Sequence, residues 1–490
     1  MIDGNFNLLI SMYMKIWILF IMMFTAISCS KGSLTVDETI VPPQEGIGSN
    51  AAVKVNLSGD VILGAPRDHS IVLSVAASNG TQVSIHYGTT PEVLSNTATG
   101  KVSENNIIEV ELNNLTANTR YYYQVLFNGT LQGDIYSFVT RRVQGSTFNF
   151  GVQGDSHPER EKEMFNAELY QINMKNVSQY QPDFYFTLGD DFSIERLIEN
   201  NAVSQSSVDN IYSLQRRNLG MVGCNSSLFL VNGNHEQAAK YLLDGTSVNP
   251  AVCAGVARKR FYPLPDPTNG YLGDTYQVEH VGYLKDYYAF EWGSALFVVI
   301  DPYWHSDVAV DNIAGSMGKE NNPWTASFGD EQYHWLQKTL SESTAKYKFV
   351  FTHHVRGTGR GGVEDANLYE WGGYDAKGSW QFNTYRPNWD MPIHQLFVKY
   401  GVTIFFQGHD HVFCKQVLDG VVYQSCPNPA DNTYRAFNAD AYKSGDVLPN
   451  SGFLNVTVSP EEVTVTYIRA FLDGDGVNNG VAYTYTIKAK

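Results

Sequence analysis

The sequence predicts an all-β sandwich followed by an α/β domain, and three observations carry that prediction. Between residues 51 and 143, short strands of alternating polarity are separated by polar turns. From residue 144 to 490, apolar strands alternate with stretches of helical spacing, the layout of an α/β domain closed by C-terminal β strands. Five of those apolar strands run directly into loops carrying Asp, Asn or His, at the strand ends where open α/β sheets place their ligands.

Length and composition fit two globular domains plus extensions. A chain of 490 residues exceeds a typical single domain, and 43% hydrophobic with 17% charged residues supplies packed cores rather than general disorder. The formal charge of −16, with no long basic run, argues against a nucleic-acid surface. The same charge would repel a phosphorylated substrate at long range. A site for such a substrate therefore needs local positive charge, which two divalent cations would provide.

Residues 1–33 read as a targeting segment. Lys15 precedes the apolar run from Ile16 to Ile27, and Ser28-Cys29 follows, the pattern of an export signal too short to span a membrane comfortably. Ala26-Ile27-Ser28-Cys29 resembles the bacterial lipobox, which implies an exported lipoprotein, periplasmic or at the cell surface, held to the membrane by a lipid on Cys29. The stretch before Met14 reads as an upstream mis-start. Residues 34–50, rich in Gly, Ser, Pro and Thr, read as a flexible linker. Four cysteines follow, none in metal-ligand spacing. Cys414 and Cys426 flank a hairpin turning at Asp419-Gly420, in a register that sets Cys414 opposite Ser425, so a bridge between them is not expected. Pairing of Cys224 with Cys253 is left open.

Within the sandwich, 70–75 and 82–87 alternate cleanly, and 136–140 forms the last strand. His69 and His86 have no partner motif and read as surface or packing residues. The run from Leu115 to Val125, with Tyr121-Tyr122-Tyr123, resembles the tyrosine-corner stretch of fibronectin type III domains. That resemblance implies that the Tyr121 hydroxyl ties the loop back to the strand.

In the α/β part, strand 148–152 ends at Asp155-Ser156-His157, and Phe165, Leu169 and Ile172 follow at helical spacing. Strand 184–188 ends at Gly189-Asp190, and Leu228 to Val231 ends at Gly233-Asn234-His235-Glu236. Strand 295–300 leads to Asp301-Pro302-Tyr303-Trp304-His305. A helix presenting Trp335, Leu336 and Leu340 precedes strand 348–352, which delivers His353-His354. Strand 402–406 delivers Gly408-His409-Asp410-His411. Any single Asp or His here is an ordinary turn or cap residue. All five motifs in order form a set of nitrogen and oxygen donors suited to a pair of cations, which a two-metal hydrolase holds about 3.5 Å apart.

These five stretches, spanning about residues 147 to 411, resemble the calcineurin-like metallophosphoesterase superfamily. With the preceding sandwich, the whole resembles purple acid phosphatases and their bacterial relatives. The resemblance implies a four-layer α/β/β/α domain and two divalent or trivalent ions (Mn, Fe or Zn). Asp155, His157 and His411 would hold one ion, Asn234, His353 and His409 the other, and Asp190 would bridge. His235 would contact phosphate and protonate the leaving group, with His354 as the second candidate acid, and a metal-activated hydroxide would attack phosphorus. One departure matters. Plant- and mammal-type purple enzymes carry Gly where His157 stands, and a metal-binding Tyr three residues after the bridging Asp, where this chain has Ser193. A tyrosinate-coloured iron site is therefore not expected.

The glycine-rich run Arg356 to Gly362 places Arg356 and Arg360 where they could clamp a phosphate. Tyr303, Trp304 and Trp371 could stack on a substrate, or simply pack. Asp473-Gly474-Asp475 lacks the terminal Glu of a calcium loop and reads as a hairpin turn. The function expected is phosphomonoester hydrolysis of a small phosphorylated molecule. The alternatives are a phosphodiesterase or nucleotidase on the same site and, from another class, a catalytically silent surface-binding lipoprotein.

Overall fold

The computed structural model describes residues 36–38, 54, 56, 59–100, 106–311 and 322–489. The targeting segment with Cys29 and most of the 34–50 linker lie outside them. Val36–Glu38, expected in the flexible linker, instead forms a short strand antiparallel to the last strand, Val481–Lys488.

The predicted sandwich consists of a three-stranded sheet, ordered Val61–Gly64, Ile71–Ala76, Ile107–Leu112, and a four-stranded one, Asn96–Thr99, Val83–Gly88, Arg120–Phe127, Thr130–Val139. Alternation turns Leu73, Val75, Ile85, Val110, Tyr123 and Val125 into a shared core. The Tyr121 hydroxyl accepts a hydrogen bond from the Thr116 amide at 2.9 Å, the tie expected of it. Arg216 secures this sandwich to the rest of the chain. It is buried, and its guanidinium donates to the Gly59 carbonyl (3.1 Å), the Asp60 carbonyl (3.2 Å), and the Ser74 hydroxyl and carbonyl (3.0 and 2.9 Å). Its charge is met mainly by carbonyl dipoles, and burial lowers its pKa to about 10 although Asp60 favours the charged form.

The α/β part is built on two sheets. One is seven-stranded, in the order Val36–Glu38, Val481–Lys488, Glu462–Arg469, Gly452–Val458, Phe148–Gln153, Phe184–Thr187, Ser227–Leu230. The other is eight-stranded, ordered Leu272–Gly273, Tyr288–Trp292, Ala295–Val299, Tyr347–Phe351, Ile404–Gln407, Val421–Ser425, Phe413–Leu418, Asp446–Leu448. The three predicted C-terminal strands thus complete the first sheet. Phenylalanines at every second position fill the space between the sheets. Phe186 stacks on Phe351 with centroids 4.1 Å apart, Phe229 on Phe290 at 4.4 Å, and Phe150 meets Phe349 at 5.5 Å. Each such pair adds about 0.5–1.5 kcal/mol beyond area burial.

The intervening residues face outward onto helices. Tyr185, Leu228 and Leu230 pack under Ala167–Tyr180, Gln205–Gly223 and Pro250–Phe261. Leu296, Val298, Val350 and Phe405 pack under Asp330–Glu342 and Ile393–Tyr400. The result is the four-layer α/β/β/α sandwich, with Leu336 and Leu340 buried as expected and Trp335 packed beside them.

The first helix differs in detail from its sequence signal. It starts at Ala167, capped by the Asn166 side chain, and buries Leu169, Tyr170, Asn173, Met174 and Val177. Phe165 precedes it and Ile172 is only half-buried, so the spacing located the helix but not its inner face. Asp419 and Gly420 both take positive φ (+48° and +83°), the requirement of a type I′ turn, and Cys414 pairs with Ser425. Cys224, Cys253, Cys414 and Cys426 are buried free thiols; Cys224 lies in the sandwich core and Cys253 in the helix-side core. Residues 473–478 form the turn joining the last two strands.

Candidate metal centre

Each of the five motifs follows the end of a parallel strand, and the two sheets direct these ends at one point. The seven-stranded sheet delivers Asp155, His157, Asp190, Asn234 and His235, and the eight-stranded sheet delivers His353, His354, His409 and His411. Glycines make the approach possible. A Cβ on Gly233 would lie 2.2 Å from Asp190 Oδ1, and one on Gly408 would lie 2.3 Å from Asp155 Oδ1. Asp190, His157, His409 and His411 all adopt positive φ (59°, 50°, 66° and 50°). Non-glycine residues in this region are uncommon, and such backbone strain concentrates at functional sites.

Two groups of donor atoms converge. In the first, His411 Nε2 lies 3.1 Å from both Asp155 Oδ2 and His157 Nε2. In the second, His353 Nε2 lies 3.0 Å from Asn234 Oδ1, 3.0 Å from His409 Nδ1 and 3.1 Å from Asp190 Oδ2, with His409 Nδ1 3.1 Å from Asn234 Oδ1. Asp190 Oδ2 is also 3.6 Å from His157 Nε2, so this one oxygen faces both groups. Donor spacings of this size are the edges of a coordination polyhedron with bonds of about 2 Å.

The inactive atoms are occupied elsewhere. Asp155 Oδ1 accepts from the His409 amide (2.7 Å) and Asp190 Oδ1 from the His235 amide (2.9 Å), leaving each Oδ2 to the centre. A carbonyl can only accept, so His353 Nδ1–H donates to Leu188 (2.7 Å) and turns Nε2 toward the centre. All these residues are buried. The donor set fits two cations.

The electrostatics agree. Burial works against ionised Asp155 and Asp190, yet neighbouring imidazoles hold both carboxyls below the usual range. Burial also opposes a charged His353, but Asp190 and Asp155 outweigh it and raise its pKa to about 10, so a proton resides where a cation belongs. His157 and His409 are pushed down by burial and stay neutral, the form that ligates metal.

His235 stands at the edge of this centre, its Nε2 3.8 Å from Asp190 Oδ2. Its Nδ1 lies 2.8 Å from Glu195 Oε2 and its Nε2 lies 3.3 Å from Arg160 Nη2. Burial lowers its pKa, but Asp190 and Glu195 prevail and hold it at about 9. His354 donates Nε2–H to the Gly361 carbonyl (2.9 Å), and burial with Arg356 nearby keeps it neutral.

The remaining substrate candidates divide. Arg360 donates to the His409 carbonyl (2.7 Å) and Asp410 (3.2 Å) beside the centre, with nearly half of its side chain exposed. Arg356 is paired with Asp365 (3.1 Å) and covered by the Tyr369 ring. Tyr303 lies against His353, ring centroids 6.3 Å apart, its hydroxyl donating to the Gly357 carbonyl (3.1 Å). Trp304 packs into the helix-side core, and Trp371 is buried with its indole donating to Tyr423 (3.0 Å).

Sequence reading missed Glu236, whose carboxylate accepts from the amides of Asp190 (3.0 Å), Asp191 (2.8 Å), Phe192 (3.0 Å) and Gly233 (2.6 Å). Its place beside His235 was the available signal. Arg160, Glu195 and Glu159, the last 2.8 Å from His157 Nδ1, were also missed and follow no motif spacing.

The family model for calcineurin-like phosphoesterase matches residues 148–413. None of the curated proteins matches the chain. Among solved structures, a purple acid phosphatase, PPD1, from yellow lupin (Lupinus luteus) seeds is similar, with 16% identity and a TM-score of 0.57. The match covers 87% of this chain and 74% of that one. PhoD is similar at 14% identity with a TM-score of 0.61, covering 90% of this chain and 92% of its own. At these identities the likeness is one of fold.

Proposed function

Since the chain belongs to the calcineurin-like phosphoesterase family and is a metal-dependent hydrolase of phosphoric esters, we propose that its substrates are phosphomonoesters. The observation that carries this reading is the Arg160–His235–Glu195 row at the edge of the metal centre. A guanidinium and an imidazole held in its charged form beside the centre support binding of a dianionic phosphate and protonation of its leaving oxygen.

In this reading Asp155, His157 and His411 would hold one cation and Asn234, His353 and His409 the second, with Asp190 available to both. The bound cations would acidify water and neutralise charge on the phosphoryl oxygens. Water adds to phosphorus, the ester P–O bond breaks, and His235 gives its Nε2 proton to the departing oxygen. Glu195 holds the opposite ring nitrogen, fixing the imidazole's orientation and keeping it charged. Arg160 and Arg360 take phosphate oxygens from either side. The mixed nitrogen and oxygen set suits manganese, zinc or iron, and Ser193 supplies no tyrosinate.

The test is a pair of substrates. Release of nitrophenol from p-nitrophenyl phosphate but not from the bis ester is the expected outcome; the reverse assigns a diesterase. We further propose that the chain is a lipoprotein carried on Cys29, with a fibronectin type III-like sandwich between anchor and enzyme. Cys29→Ala should abolish incorporation of labelled palmitate and move the protein from the membrane to the soluble fraction. Retention of label in that variant would exclude the anchor.

A further inference from the structure

Outside the catalytic centre, a second set of donors comes together from three separate loops. Asp274, Asp286 and His305 offer ligand atoms that all lie within 4.8 Å of one another. Both carboxylates are buried, at 2% and 1% exposure. Asp274 Oδ1 accepts from the Tyr276 amide (2.7 Å), and Asp286 Oδ2 meets His305 Nε2 at 2.7 Å. Asp286 Oδ1 is buried without a hydrogen-bond partner, and Asp274 Oδ2 makes no close hydrogen bond, with the Tyr287 hydroxyl as the neighbour of its carboxylate. A buried carboxylate oxygen left unpaired is costly, and two in one place favour a positive occupant.

The charge around them points the same way. Burial and then Asp286 push the Asp274 carboxyl up to about 6. Asp301 and Glu331 add further negative charge to the neighbourhood, against a single imidazole. His305 also lines a cavity of about 660 Å³, together with Tyr276, Trp304 and Glu331, which gives the cluster a route to solvent.

We propose that Asp274, Asp286 and His305 form a third, mononuclear site for a first-row divalent cation, separate from the catalytic pair. Two carboxylates with one imidazole match manganese or zinc better than calcium, whose sites are built from oxygen alone. Binding replaces the proton on His305 Nε2, so that Nε2 and Asp286 Oδ2 become two ligands, with Asp274 Oδ2 and Asp286 Oδ1 available to complete the set. The site is structural. Asp301, next to it, accepts from the Tyr303 and Trp304 amides (2.7 and 3.0 Å) and from the Asn232 side chain (2.7 Å), two residues before Asn234. A cation here would brace the loop that sets Tyr303 against His353.

The experiment counts metal. Full-length protein is stripped with chelator, equilibrated with manganese, desalted and measured by mass spectrometry. Wild type should retain three ions per chain, and His305→Gln or Asp274→Asn two. A doubly substituted Asp190→Asn, His353→Ala chain should still retain one. Two ions in wild type, or a third that survives both His305→Gln and Asp274→Asn, overturns the proposal. If those variants fail to fold, anomalous diffraction from manganese-soaked wild-type crystals decides: a peak between Asp274, Asp286 and His305 supports the site, and its absence there excludes it.

Discussion

The two central sheets serve one centre with different chemistry. The seven-stranded sheet contributes both carboxylates, the amide and one imidazole, Asp155, Asp190, Asn234 and His157, whereas the eight-stranded sheet contributes imidazoles alone. Their orienting partners cross between sheets. Asp155 is fixed by the amide of His409, on the imidazole side, and His353 by the carbonyl of Leu188, on the carboxylate side. Neither half of the ligand set is in place without the other. Metal affinity is therefore coupled to the aromatic packing that holds the sheets face to face.

The largest expected effect tests whether the two sides are equivalent. Asn234→Ala and His353→Ala each remove one ligand, from opposite sheets. Both should lower turnover by at least about 10³-fold, the scale on which loss of a central catalytic group is felt. Circular dichroism of the metal-free proteins should stay that of wild type. Full activity in either variant would break the assignment of that side.

A smaller effect should separate the sides. Glu236 gathers four backbone amides, all in the Asp190 and Asn234 loops of the seven-stranded sheet. Gln at this position keeps the shape but turns an amide donor toward other donors. The expected cost is about 2–3 kcal/mol in urea unfolding, with metal affinity weakened roughly 10–100-fold in a chelator competition. Unchanged affinity would show that the imidazole side alone sets the binding.

The difference between the sides also explains what could be read from sequence. Strand-then-ligand motifs are local, so Asp155, Asp190, Asn234, His353, His409 and His411 were each visible, and the glycines beside them marked the close approaches now seen at Gly233 and Gly408. The apolar runs located the strands in the same way. Nothing local announces a partner that arrives from a different loop. Arg160 and Glu195 reach His235 from opposite sides through tertiary packing, and Asp274, Asp286 and His305 meet without any shared spacing. Trp304 stands next to Tyr303 in the chain yet turns into the core while Tyr303 faces His353, a choice made by packing against Pro250–Phe261.

The smallest expected effect isolates the proton donor on the carboxylate side. In the loaded enzyme the Asp190 charge is engaged by cations, which leaves Glu195, 2.8 Å from Nδ1, as the main group holding His235 above an ordinary imidazole. A general acid works only while protonated, so activity that depends on His235 is present below its pKa and lost as pH rises through it. With the carboxylate in place that loss should come above the ordinary imidazole range, because Glu195 favours the charged ring. Glu195→Gln keeps a hydrogen-bonding group at Nδ1 but removes the charge, and the alkaline limb of kcat/KM should move down toward the ordinary value of about 6.5. Rates at pH 6 should change little and rates at pH 8 should fall several-fold, a split that lost packing alone would not produce. An alkaline limb that stays in place would mean that another group, with His354 the nearest alternative, delivers the proton.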